Sequence, residues 1–169
     1  MNRMNVVLAA ATVLTGLVAS GGANAVTVSR VDFSHASGFC QGALPSFDTN
    51  IRKRPLAVAN EGTATAFVSC SMEKERNDAK ITEATLKVFN RGTASADVSC
   101  TLVHGFQSSF SPTYISKTAT VDAGGSAFIS WLPVDNAGAN YSWLNWSCSL
   151  PPGTDIGYGY VRYTEDVGA

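Results

Sequence analysis

One motif occurs twice in this chain, thirty residues apart. Residues 58–70 read VANEGTATAFVSC and residues 88–100 read VFNRGTASADVSC, so both fit V-x-N-x-G-T-A-x-A-x-V-S-C. A solenoid needs three or more units, so two copies point to one supersecondary unit used twice. Asn-x-Gly suits a three-residue hairpin loop with its glycine in the left-handed region, here Gly62 and Gly92. In that register Val58 faces Ala64 and Leu56 faces Ala66. In the second copy Val88 faces Ala94, Leu86 faces Ala96 and Ala84 faces Val98. The apolar parity continues through Val68 and Cys70, and through Val98, Cys100 and Leu102. Thr65, Ser69, Glu83, Thr85, Lys87, Asp97, Ser99 and Thr101 take the other parity. Alternation with one polar face marks strands that cover a core on one side. The same loop can instead bridge two facing sheets, which keeps the inward and outward assignments but changes the strand order.

The remaining segments read the same way. Residues 26–33, 115–121, 126–132, 141–150 and 156–164 are strand candidates, with a turn at Asp122-Ala-Gly-Gly125 and a break at Pro151-Pro-Gly153. The best helical stretch, residues 71–80, is short and charged, and reads as a solvated connection. The expectation is an all-β chain: a β-sandwich, Ig-like or jelly-roll, of about eight or nine antiparallel strands. The V-x-N-x-G-T-A pattern resembles motifs of Ig-like sandwich modules of secreted bacterial proteins, over about 30 residues. That resemblance implies a fold and nothing about activity.

The N-terminus reads as an address. Arg3 precedes an apolar run from Val6 to about Val18, and Ala23-Asn-Ala25 offers an A-x-A cleavage site. Residues 1–25 are thus expected to be a secretory signal peptide and residues 26–169 a single β-sandwich domain, secreted or periplasmic, of a bacterial envelope or medium. Four cysteines follow the leader: Cys40, Cys70, Cys100 and Cys148. An even number in an exported chain reads as two disulfides, and none of the spacings makes a C-x-x-C metal or redox motif. Of the three pairings possible, the sequential one, Cys40–Cys70 with Cys100–Cys148, is preferred.

Only 15% of the residues are charged, and the formal net charge is −1. Neither a nucleic-acid footprint nor an anionic-lipid surface follows from that balance, and no later segment is apolar enough to span a membrane. No metal and no cofactor is expected. Asp122, Asp135 and Asp155 do not make a calcium loop. Arg52-Lys-Arg54, the one basic cluster, either holds an anionic ligand or, with Pro55, guards an edge strand; the edge is the preferred reading.

No catalytic residue is assigned. His35 and His104 are the only histidines, and a triad of His104 with Ser108 or Ser109 lacks any nucleophile motif. Asp32, Asp48, Glu61 and Asp97 offer no distinctive carboxylate pair. Aromatic residues carry the binding expectation. Phe106, Phe110 and Tyr114 lie in one loop, and Trp143 and Tyr141 have parity opposite to Leu144, Trp146 and Cys148, so both are expected to face outward. Exposed rings form low-entropy platforms for sugars or proteins. Trp131 shares parity with Ile129 and reads as core. The leading expectation is a non-enzymatic binding or interaction module whose partner is a glycan or an envelope protein. A secreted hydrolase using His104 or a carboxylate pair, and a structural or assembly subunit of the envelope, are the alternatives.

Overall fold

A computed structural model describes residues 26–72, 79–105 and 112–168. The expected leader and most of residues 71–80 lie outside these segments. The described residues form eleven strands, two more than the upper expectation: β1 (Thr27–His35), β2 (Cys40–Gly42), β3 (Ile51–Arg54), β4 (Ala57–Asn60), β5 (Ala66–Met72), β6 (Lys80–Asn90), β7 (Ala96–His104), β8 (Thr113–Val121), β9 (Ser126–Trp131), β10 (Leu144–Leu150) and β11 (Thr154–Asp166). Beyond the alternating segments stand β2 and β3, three and four residues long and too short to show alternation; β3 holds Arg52-Lys-Arg54, which charge and Pro55 alone marked as an edge. One helical turn, α1 (Ala36–Phe39), carries the chain from β1 to β2.

The strands form two sheets packed as a sandwich. Six-stranded sheet A runs β3-β4-β11-β6-β9, with β1 also on β11; five-stranded sheet B runs β2-β5-β10-β7-β8. All their pairings are antiparallel. Between the sheets lie Val58, Leu86, Val88, Ile156, Val68, Val98 and Leu102, all at 0% exposure, with the rings of Trp131 and Trp146 meeting at a tilt of 49°, 6.4 Å between centroids. Trp131 is core, as its parity implied.

The repeat is an arch and not a hairpin. β4 belongs to sheet A and β5 to sheet B; β6 and β7 divide in the same way. Val58 pairs with Lys53 and Ile156, and Val88 with Ile156 and Ala127, so the expected cross-loop pairs do not form. Leu56 falls in the β3–β4 turn, 63% exposed, instead of opposing Ala66. The physical reason lies in the two repeat asparagines. Asn60 Oδ1 accepts from the Gly62 amide, while its Nδ2 donates to the carbonyls of Ala64 and, in β10 of the other sheet, Leu150. Asn90 does the same with Gly92, Ala94 and Val121 of β8. Each buried amide thereby ties its own arch to a strand of sheet B. Neither Gly62 nor Gly92 has positive φ. Glycine is needed at Gly62 for space: a Cβ there would lie 2.2 Å from Asn50 Oδ1.

Parity survives this change of topology. The expected outer-face residues are exposed or half-buried except Thr85, at 0% exposure, which donates to Ser130 Oγ in the row that includes Tyr160. Both disulfides have the expected sequential connectivity. Each crosses neighbouring strands within sheet B, where Cys40 is in register with Cys70 and Cys100 with Cys148, at Cα–Cα 4.0 Å.

Candidate functional site

The outer face of sheet B presents a continuous polar surface. One register row reads Ser71, Asn145, Val103, Tyr114 across β5, β10, β7 and β8. The next reads Gln41, Ser69, Ser147, Thr101, Ser116 across all five strands, about 19 Å at ordinary strand spacing. Alternation turns these side chains out because their neighbours Cys40, Cys70, Trp146, Cys148 and Leu102 turn into the core. A groove of about 620 Å³ lies along the rows, with Tyr114 and Lys53 on its walls.

The hydrogen-bonding state of this face divides it in two. Toward the β8 edge the hydroxyls satisfy one another: Thr101 with Ser116 at 2.8 Å and Ser99 with Thr118 at 2.6 Å. Along the groove, the side chains of Gln41, Ser69, Ser71, Asn145 and Ser147 make no hydrogen bond to any described residue, and all five are exposed. Three hydroxyls and two carboxamides thus converge with donors and acceptors unused. Among the described residues no carboxylate lines the groove, and Lys53 is its only charged side chain. The set can bind neutral polar groups in both directions of hydrogen bonding.

The aromatic expectations separate. Tyr114 stands on β8 as a strand residue, 66% exposed, on the wall of the groove. Phe106 and Phe110 lie outside the described residues. Tyr141 does not face outward: it is 1% exposed, its hydroxyl donates to the Leu132 carbonyl at 2.6 Å, and its ring meets His104 edge-on. Burial, aided by the nearby Asp135 charge, pushes the Tyr141 phenol up to about 12. Trp143 is half-buried and has φ of 52°, a left-handed conformation uncommon for a bulky residue. That residue breaks the alternation just before β10 begins, so parity cannot be carried from Leu144 back to Tyr141.

The other singled-out residues fall elsewhere. His104 ends β7 with Nδ1 at 3.1 Å from the Ser142 carbonyl and 3.2 Å from its amide; Ser108 and Ser109 lie outside the described residues. His35 ends β1 on sheet A, edge-on to Phe33. Arg52-Lys-Arg54 forms edge strand β3, as the preferred reading had it. Sequence parity placed Ser69 on an outer face but did not single out Gln41, Ser71, Asn145 or Ser147. Their signal was the alternation against Cys and Trp, and only the strand order brings them together.

Solved structures share this architecture. A xylan-binding module CBM15 superposes with a TM-score of 0.50 over 80% of this chain and 97% of its own, at 8% identity. The chain shares that β-sandwich fold. A family 11 carbohydrate-binding module from Clostridium thermocellum, in complex with a β-1,3-1,4-mixed-linked tetrasaccharide, aligns over 89% of this chain and 91% of its own, at 10% identity and a TM-score of 0.40. No protein-family model matches the chain. No curated protein matches it by sequence. Among the described residues, no helix is long and apolar enough to cross a membrane.

Proposed function

We propose that this chain is an exported, non-enzymatic carbohydrate-binding module that holds a neutral glycan along the outer groove of sheet B. The observation that carries the reading is the set of five exposed side chains, Gln41, Ser69, Ser71, Asn145 and Ser147, with unused hydrogen-bonding groups around a groove walled by Tyr114. A sugar offers hydroxyls that both donate and accept, and ring C–H faces that pack on an aromatic ring. A rigid sheet holds these groups in place without the entropy cost of ordering a loop. The sandwich fold shared with a xylan-binding module supports this reading, and makes xylan the first polysaccharide to try. Two buried disulfides suit an oxidising compartment.

The test is affinity electrophoresis through gels containing xylan, mixed-linked β-glucan, galactan or mannan, followed by calorimetry on the polysaccharide that retards the protein. Tyr114→Ala and Asn145→Ala are each expected to weaken binding about tenfold, the equivalent of about 1.4 kcal/mol. Neither side chain is part of the core, so melting temperature should stay near wild type. Retardation by no neutral polysaccharide, or undiminished binding in both variants, would refute the assignment.

A further inference from the structure

A second cavity, of about 740 Å³, opens on the outer face of sheet A beside edge strand β3. Its volume exists because Ala57, Ala59, Gly62 and Gly153 contribute almost no side chain to the lining. Pro55 and Leu56 form an apolar rim, and Leu56 is 63% exposed. Within typical ligand-site dimensions, this is an apolar hollow with a few placed polar groups.

Those groups are two arginines in different states. Arg54 is spent: Nε and Nη2 donate to the two carboxylate oxygens of Glu61 at 2.7 and 2.6 Å. Arg91 is not. Its Nε donates to Asp155 Oδ2, and its two Nη groups make no hydrogen bond to any described residue. The Arg91 side chain is 68% exposed, whereas that of Asp155 is 1% exposed. Asp155 Oδ1 has no hydrogen-bond partner among the described residues. Burial pushes the Asp155 carboxyl above its ordinary value, with Arg91 opposing the shift. Keeping a half-paired carboxylate under the sheet surface costs stability. In return it holds the Arg91 fork with its outer edge open to the cavity. A free guanidinium edge matches a carboxylate through two parallel N–H···O bonds. Arg52, in register with Ala59 on the same edge strand, adds positive charge nearby.

We propose that this cavity is a second binding site, taking a uronate residue of an acidic glycan, with its carboxylate on the two Nη groups of Arg91 and its ring against Pro55 and Leu56. The proposal rests on the carbohydrate-binding reading for the ligand class, but on different residues and the opposite sheet. The two sites together would let one module bridge a neutral and an acidic polysaccharide.

The experiment is an amide NMR titration of the chain with both disulfides formed, using sodium glucuronate, with glucose and sodium acetate as controls. Glucuronate should shift the amides of Gly62, Gly92 and Gly153 saturably, glucose should leave them in place, and acetate should bind at least about tenfold more weakly. Arg91→Lys keeps the charge and loses the fork, and should weaken glucuronate about tenfold. Leu56→Ala removes only exposed rim, and should weaken it about threefold. Retardation by neutral polysaccharide should be unchanged in both variants, so failure of the sheet B reading shows separately in the gels. Absent shifts, or glucuronate affinity unaltered in both variants, would overturn the site. Equal binding of acetate would leave an adventitious anion site only. Tighter binding of an N-acetylated dipeptide than of glucuronate would reassign the cavity to peptide carboxylates and also overturn the proposal.

Discussion

Asn60 Nδ2 donates to the Leu150 carbonyl at 2.7 Å, joining a strand of sheet A to one of sheet B across 90 positions of sequence. Asn90 repeats the arrangement with Val121 at 2.9 Å. Each amide is 1–2% exposed and serves three backbone partners, so truncation strands carbonyls away from water. Asn60→Ala and Asn90→Ala should each destabilise by about 3 kcal/mol, read as a lower urea midpoint at unchanged m-value. Asn60→Asp keeps the acceptor for Gly62 and loses both donors, so it should be no milder than alanine. A cost below about 1 kcal/mol for all three would mean that the arches are held by packing alone.

The two repeat glycines are not equivalent, although the motif makes them look so. A Cβ on Gly62 would stand 2.2 Å from Asn50 Oδ1 and 2.7 Å from Asn50 Cβ; on Gly92 the nearest atom is Asn90 Oδ1 at 3.0 Å. Gly62→Ala should therefore lower the melting temperature substantially more than Gly92→Ala. Equal shifts would show that the Asn50 loop yields to accommodate the methyl.

Face assignments were legible in the sequence because alternation is local: Val68, Cys70, Val98, Cys100 and Leu102 are inward whichever strands they meet. Strand partners were not, because Asn-x-Gly is compatible with a hairpin and with an arch, and the deciding partner is Leu150, far along the chain. Alternation also fails wherever one residue leaves extended geometry, as Trp143 does at φ 52°, which is why Tyr141 is core and not platform. Polar outer residues look alike in sequence whether they face solvent or a ligand. Only the register that sets Gln41 and Ser147 on either side of Ser69 distinguishes the groove.

The disulfides should differ in what their loss exposes. Cys40–Cys70 closes 30 residues and Cys100–Cys148 closes 48, for which chain entropy gives about 4 kcal/mol each. But β2 is a three-residue edge strand paired only to β5, whereas β7 and β10 lie inside sheet B. Replacing Cys40 and Cys70 by alanine should raise hydrogen exchange first at the amides of β2, leaving β7 and β10 protected. Replacing Cys100 and Cys148 should lower protection across sheet B together. Uniform loss in both double variants would contradict this division.

Two carboxylates should give pH dependences of opposite sign. The Tyr160 hydroxyl, donating at 2.7 Å, holds Glu83 below its ordinary value, with burial opposing and Arg162 and Thr85 assisting. Its contribution is present above the unfolded-state pKa and is lost as pH falls through the lower folded value. Asp155 is raised, chiefly by burial. The unfolded chain then releases that proton first, so stability falls as pH rises from the unfolded value through the folded one. Urea melts at intervals between about pH 3.5 and 7 should show the gap between wild type and Glu83→Gln widening in favour of wild type as pH rises. The gap between wild type and Asp155→Asn should move the other way, in favour of the variant. Parallel profiles for Asp155→Asn would mean that Arg91 compensates its charge fully, and that the cost of burying this carboxylate does not fall on the folded state.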